Sequence, residues 1–290
     1  MAFNCFLKGD EMGIRILTDS VADIPKEIAK ELNIEILPLT VNFEDGSYKD
    51  NVEISNEEFY EKLKIAKNLP TTSQISPGDF IEAFKKITQN GEEVIAILMS
   101  SRLSGTYNSA VTAKDYLKNE EITVIDSSLV TFTQGLMVIK AARMALKGCS
   151  KSEIVDKIVY MKENMECKFI IEDIDYLKKG GRLTSSQALM SKLLNIKPIL
   201  TIEDGRVVFE SKVRGKKRAI KWVINWLKTN DFKLEEKTIG LFHSNNKQYL
   251  MELHEELIKN FGVREIIEAK VGAVVGTHAG PGCIAIALIK

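Results

Sequence analysis

Residues 94–110, VIAILMSSRLSGTYNSA, pass from six consecutive apolar side chains into serines, a glycine and then a helical pattern. Six apolar residues without alternation suit a strand buried on both faces, as in a parallel sheet covered by helices. Comparable runs stand at 14–18 (IRILT), 34–41 (IEILPLTV) and 122–126 (ITVID), with helical stretches between them. The first half therefore reads as a three-layer α/β/α unit around a parallel sheet.

Working outward, Asp45-Gly46 marks a small hairpin, and helix starts are signalled by Ser55 with Glu58, Ser76 before Pro77, and Ser150 with Glu153. A helical stretch from about 131 to 164, broken at Gly148, can carry the chain into a second domain. Beyond it, strand patterns at 167–171, 196–202, 207–211 and 238–243, and two around Val271 and Ile286, mix with helices at 214–228 and 246–260. The Glu203-Asp204-Gly205 turn joins two strands directly, so the second sheet must be mixed. The expected fold class is α/β in two domains: an extension at 1–13, an N-terminal domain at 14–165 and a C-terminal domain with a mixed sheet at 166–290. Trp222 and Trp226, four apart in a helical stripe, read as core packing.

The chain has 290 residues, is 44% hydrophobic, and balances 40 basic against 40 acidic side chains. Such a balance provides no summed positive field for nucleic acid or an anionic bilayer, so any anion site is local. The opening residues lack the charged and apolar regions of a signal peptide, Met12 reads as an alternative start, and a cytoplasmic protein is expected. Between Val271 and Ile289 no charged residue occurs, but GTHAGPG at 276–282 reads as a loop between buried strands rather than the middle of a membrane span. The four cysteines are far apart, fit reduced thiols and offer no zinc spacing, so no metal is expected. No phosphate-binding loop, dinucleotide fingerprint or G-x-S-x-G elbow is present.

Three segments place small polar residues where strands end: LPTTSQISPGDF (69–80), LMSSRLSGTYNSA (98–110) and GTHAGPG. In the second, Ser100, Ser101 and Ser104 precede a helix near Gly105, so hydroxyls and free amides can converge on an anion. Ser104 can equally be a plain helix cap. In the first, Thr71, Thr72, Ser73 and Gln74 stand ahead of the Ser76-Pro77 helix start. His278 lies among glycines that permit close ligand approach, although a lone histidine is more often structural. His243 and His254 carry no such context.

These segments, with LTDSVADIP (17–25), IDSS (125–128), YLKKGGRLT (176–184) and VRGKKR (213–218), appear in the order found in the DegV family, which the chain resembles from about Arg15 to Ile289. One departure is Ile75, where the family often has proline after the TSQ triplet. The resemblance implies a bacterial carrier, not a self-sufficient enzyme, with a long-chain fatty acid in a buried tunnel. It places the carboxylate on Thr72 and Ser104 with His278 as a weaker or indirect contact, and implies no cofactor. It further implies a separate ATP-dependent fatty acid kinase as partner. Arg182 and Arg214 become candidates for docking or phosphate contact, or remain solvated surface charge. Neither nucleic acid binding nor membrane embedding is implied; transient contact with a membrane surface is the most expected of a bilayer.

Two other readings stand. Ser104 as nucleophile and His278 as base, with Asp19 or Asp126 orienting, would make a serine hydrolase of lipid esters. A polar pocket at the same helix start would instead bind a metabolite phosphate.

Overall fold

The computed structural model describes residues 13–183 and 195–290. In chain order β1 (Ile14–Asp19) is followed by α1 (Lys26–Glu31), β2 (Glu35–Leu37), β3 (Thr40–Phe43), β4 (Gly46–Lys49), α2 (Asn56–Ile65) and β5 (Thr71–Ser73). Next come α3 (Pro77–Thr88), β6 (Glu93–Leu98), α4 (Thr106–Leu117), β7 (Ile122–Asp126), α5 (Phe132–Ala145) and α6 (Lys151–Asn164). The remainder runs β8 (Met165–Ile170), α7 (Asp175–Lys179), β9 (Ile196–Glu203), β10 (Arg206–Arg214), α8 (Lys216–Asn230), β11 (Thr238–His243), α9 (Lys247–Asn260), β12 (Glu265–Lys270), α10 (Ala273–Ala279) and β13 (Ile284–Ile289).

Two compact units result: the described residues up to Thr40 with Ser73–Glu163, and Val41–Thr72 with the described part of Asn164–Lys290. Residues 41–72, read from the sequence as part of the first domain, thus group with the second unit. The cause is long-range: Asp50, Phe59 and Tyr60 meet residues 271–276.

In the first unit four parallel strands lie in the order β2-β1-β6-β7. Residues Val94 to Leu98 of β6 are wholly buried, which accounts for an apolar run without alternation. From β1 the chain winds outward to β2, and β6 returns on the other side of β1, so the order of strand addition reverses between β1 and β6 while all strands stay parallel. Asp19 ends β1 and the loop leaving β6 carries Ser100–Gly105, at the kind of crevice where open α/β sheets hold ligands. One apolar run behaves differently from its sequence reading: 34–41 divides into β2 and β3 at Pro38, which has no N–H to give to a ladder. Leu39 N instead donates to Ser20 Oγ at 3.2 Å. The three predicted helix caps form, and Asp79 completes the box at Ser76.

A mixed sheet in the order β10-β9-β8-β13-β11-β12 forms the second unit, with β11–β12 parallel and the other pairings antiparallel. Asp204 and Gly205 both adopt positive φ, the requirement of a two-residue hairpin turn of the primed kind. On the sheet, Val223 and Leu227 of α8 and Leu250 and Leu253 of α9 pack with Leu241 and Ile286, and Trp222 and Trp226 border this core. A three-stranded sheet, β4-β3-β5, belongs mainly to this unit, and the chain crosses to the first unit at its outer residues Thr40 and Ser73. The expected α/β class, parallel sheet and mixed sheet are therefore all present.

Three details differ from the sequence reading. Residues 273–279 are helical rather than a loop, for reasons that belong to the site below. The strand expected around Val271 lies at 265–270, and the short α7 carried no periodic signal. Cys167 and Cys283 are free and buried, as reduced thiols.

Candidate functional site

In the second unit the site is built around α10. Seven residues are too few for a helix to hold itself in water, so neighbours must fix it. At its start Ala273 N donates to Oδ1 of Asp50 at 3.1 Å, and Asp50 is only 1% exposed. One residue before the cap, Val271 O accepts from Tyr60 OH at 3.1 Å. Midway, Gly276 faces Phe59 and Tyr60 so closely that a Cβ there would come within 2.6 Å of Phe59 Cε1. Residues 50–60 therefore clamp a glycine-bearing segment into a helix that its composition alone does not favour. Its end is set by Gly280, at φ +70 over the Tyr176 ring.

The last turn of α10 carries His278, whose Nε2 lies 2.9 Å from Thr72 Oγ1 on β5. Burial, with the positive charge of Arg182 as a smaller cause, pushes the His278 pKa down to about 4. The ring is thus neutral at pH 7, with one nitrogen protonated. Nδ1 is buried and has no hydrogen-bond partner among the described residues.

In the first unit the β6–α4 loop is tied down before it reaches Ser104. Asp19, wholly buried, accepts from Met99 N at 2.7 Å through Oδ2 and from Val21 N at 3.1 Å through Oδ1. Gln134 Nε2 adds bonds to Thr18 Oγ1, Asp19 Oδ2 and Ile97 O. Ser104 N then donates to Ser100 O, and Ser104 Oγ accepts from Thr106 N at 3.3 Å and lies 3.0 Å from Thr106 Oγ1. Ser104 accordingly does part of a cap's work, although Gly105 occupies the cap position itself. Above it Gln74 donates to Ser109 Oγ at 2.8 Å, and a Cβ on Gly105 would overlap the Gln74 amide.

Of the sequence candidates, then, Thr72 and His278 are brought together within the second unit, and Ser104 stands at the start of α4 in the first. Arg182 donates through Nη1 to Gly180 O at 2.6 Å and is half-buried, while Arg214 is exposed at the end of β10. Asp126 bonds Ser101 and Ser128, so both proposed orienting aspartates are occupied by neighbouring backbone and hydroxyl groups. His243 accepts from Asn246 N and His254 pairs with Glu268, both structural roles. The contribution of Asp50 was missed, since no local pattern links residue 50 to 273. Among the described residues, no group of three or more His, Cys, Asp or Glu is placed to hold a metal ion, and no helix is long and apolar enough to cross a membrane.

A family model for the DegV family of uncharacterised proteins matches residues 13–290. A DegV domain-containing protein of Caldanaerobacter subterraneus subsp. tengcongensis is 42% identical over 268 residues, covering 92% of this chain and 95% of the relative. Among solved structures, a DegV family protein from Thermus thermophilus, described by its fatty acid binding, matches with a TM-score of 0.90 at 28% identity, over 96% of this chain and 100% of its own. DegV of Bacillus subtilis, described as a fatty acid binding protein, matches with a TM-score of 0.86 at 33% identity, over 97% and 100%.

Proposed function

The chain belongs to the DegV family, and from that premise we propose that it is a cytoplasmic carrier of a long-chain fatty acid whose carboxylate is held by Thr72 and Ser104. The observation that carries the reading is the Thr72–His278 pair, seen in a chain whose structural relatives from Thermus thermophilus and Bacillus subtilis are described as binding fatty acids.

The pair suits a carboxylate. A buried N–H without an acceptor is costlier than a buried lone pair without a donor, so the proton of neutral His278 belongs on Nε2. Nε2–H then donates to Thr72 Oγ1, and the Thr72 hydroxyl is left to give its own hydrogen to an acid head. Ser104 Oγ, supported by the first turn of α4, supplies a second hydroxyl. Neutral donors of this kind hold a carboxylate in its charged form without a buried arginine.

Affinity in this reading comes from the tail. Each methylene taken from water contributes about 0.8 kcal/mol, so roughly fifteen contribute about 12 kcal/mol before association costs. We assign phosphorylation to a separate ATP-dependent kinase, as the family resemblance implies, with Arg182 and Arg214 as docking or phosphate contacts. Against the hydrolase reading, no carboxylate among the described residues bonds His278 Nδ1, and Asp19 and Asp126 are engaged elsewhere.

Native mass spectrometry of the purified protein tests the ligand class: a fatty acid mass supports the carrier, and a polar phosphate in its place overturns it. Displacement of a fluorescent fatty acid tests the site, with weaker binding expected in both Thr72→Ala and Ser104→Ala. Unchanged affinity in both removes the assignment.

A further inference from the structure

Two glycines end α7, and they are glycines for different reasons. Gly181 has φ +68 with open space around it, so its backbone explains it. Gly180 has φ −73 and ψ −9, an ordinary right-handed conformation that any residue adopts. What excludes a side chain at Gly180 is the imidazole of His278: a Cβ would overlap Nδ1, far inside the 3.0 Å below which such contacts do not occur, and Tyr176 O stands 3.1 Å away.

His278 cannot yield easily to such an overlap. Its Nε2 is engaged by Thr72, its helix is fixed at the start by Asp50, and Gly276 is pressed against Phe59 and Tyr60. Gly180 is also held, since its N–H donates to Tyr176 O and its carbonyl accepts from Arg182 Nη1. Close-packed groups pinned on both sides do not absorb an added methyl without displacement. The weakest restraint is the ring's own rotation, which would break the bond to Thr72.

We propose that Gly180 is a positioning residue for the head group: its missing side chain is the space that keeps the His278 imidazole turned toward Thr72. The assignment rests on the reading of Thr72 and His278 as the pair that meets the carboxylate. It extends that pair to the GGR segment at 180–182, which no residue-type pattern connects to a histidine almost a hundred positions later.

A double-mutant cycle tests it, using displacement of a fluorescent long-chain fatty acid with Gly180→Ala, His278→Ala and the double variant. Gly180→Ala is expected to weaken binding by about tenfold, similar to His278→Ala, and to add less than about twofold once His278 is alanine. The His278 ring nitrogen resonances should shift in Gly180→Ala, which a merely local defect in α7 would not cause. Wild-type affinity in Gly180→Ala, or a full further loss in the double variant, overturns the proposal while leaving the carrier reading intact. Loss of no affinity in His278→Ala overturns the underlying pair instead. If Gly180→Ala fails to fold, thermal unfolding decides: recovery of folding in the double variant supports the steric account, and a double variant that is equally unfolded refutes it.

Discussion

Acidification probes the burial of His278 directly. An imidazole that titrates at 6.5 when unfolded and at about 4 when folded binds fewer protons in the native state between those values. Stability from this group is therefore complete above pH 6.5, declines as pH falls, and is lost by about pH 4. At about 1.4 kcal/mol per pH unit the full loss is bounded at about 3 kcal/mol, of which about 2 kcal/mol has gone by pH 5. Protonation would also put an N–H on Nδ1, facing the Gly180 backbone with no acceptor among the described residues. Urea unfolding of the wild type and His278→Asn, compared at pH 7.5 and pH 5, isolates this contribution from that of His243, which burial also pushes down to about 4. The wild type should lose about 2 kcal/mol more than the variant on acidification, and NMR should show His278 neutral at pH 5. A His278 that titrates near 6.5, or equal losses in both proteins, refutes the account of a dry ring held against Thr72.

Replacing Thr72 with valine keeps the shape and removes the hydroxyl; fatty acid affinity should fall by roughly tenfold to a hundredfold, read by fluorescent displacement, and stability should fall by about 1–3 kcal/mol because the His278 Nε2–H loses its acceptor. Asp50→Ala strips the start of α10 of its buried acceptor and should lower stability by about 2 kcal/mol in denaturant unfolding, with weaker ligand binding alongside. Gly105→Ala should cost less than about 1 kcal/mol in thermal unfolding, because the exposed Gln74 amide that it would overlap is the end of a flexible side chain and can swing aside at the expense of its bond to Ser109. Calorimetry with saturated acids differing by two methylenes should show affinity rising by roughly tenfold or more per pair until the chain outgrows its cavity.

The strands of the first sheet were legible because β6 is buried on both faces, so side-chain polarity along it never has reason to alternate. Capping boxes were equally local, each contained within four residues. Pro38 was visible in the sequence, but the apolar run around it concealed that it divides two strands. Helix α10 was illegible for a different reason: glycine composition says loop, and only Asp50, Phe59 and Tyr60, more than two hundred positions earlier, hold it helical. Within the candidate site, Thr72, Ser104 and His278 were singled out by residue type and motif. Their supporting residues, Asp50 and Gly180, act through space that a linear reading does not contain.

The Asp50–Tyr60 clamp also has a timing. Its binding partners are residues 271–276, and β13 inserts between β8 and β11 in the middle of the second sheet. At about 5–20 residues per second on a ribosome, the segment ending at Thr72 waits roughly ten to forty seconds before Ile289 has been made. Throughout that interval Phe59 and Tyr60 lack the helix they were shaped to hold, and Thr72 lacks its histidine. A nascent chain therefore cannot assemble the Thr72–His278 pair before synthesis is nearly over, so the pair forms only when the rest of the second unit is ready to enclose it.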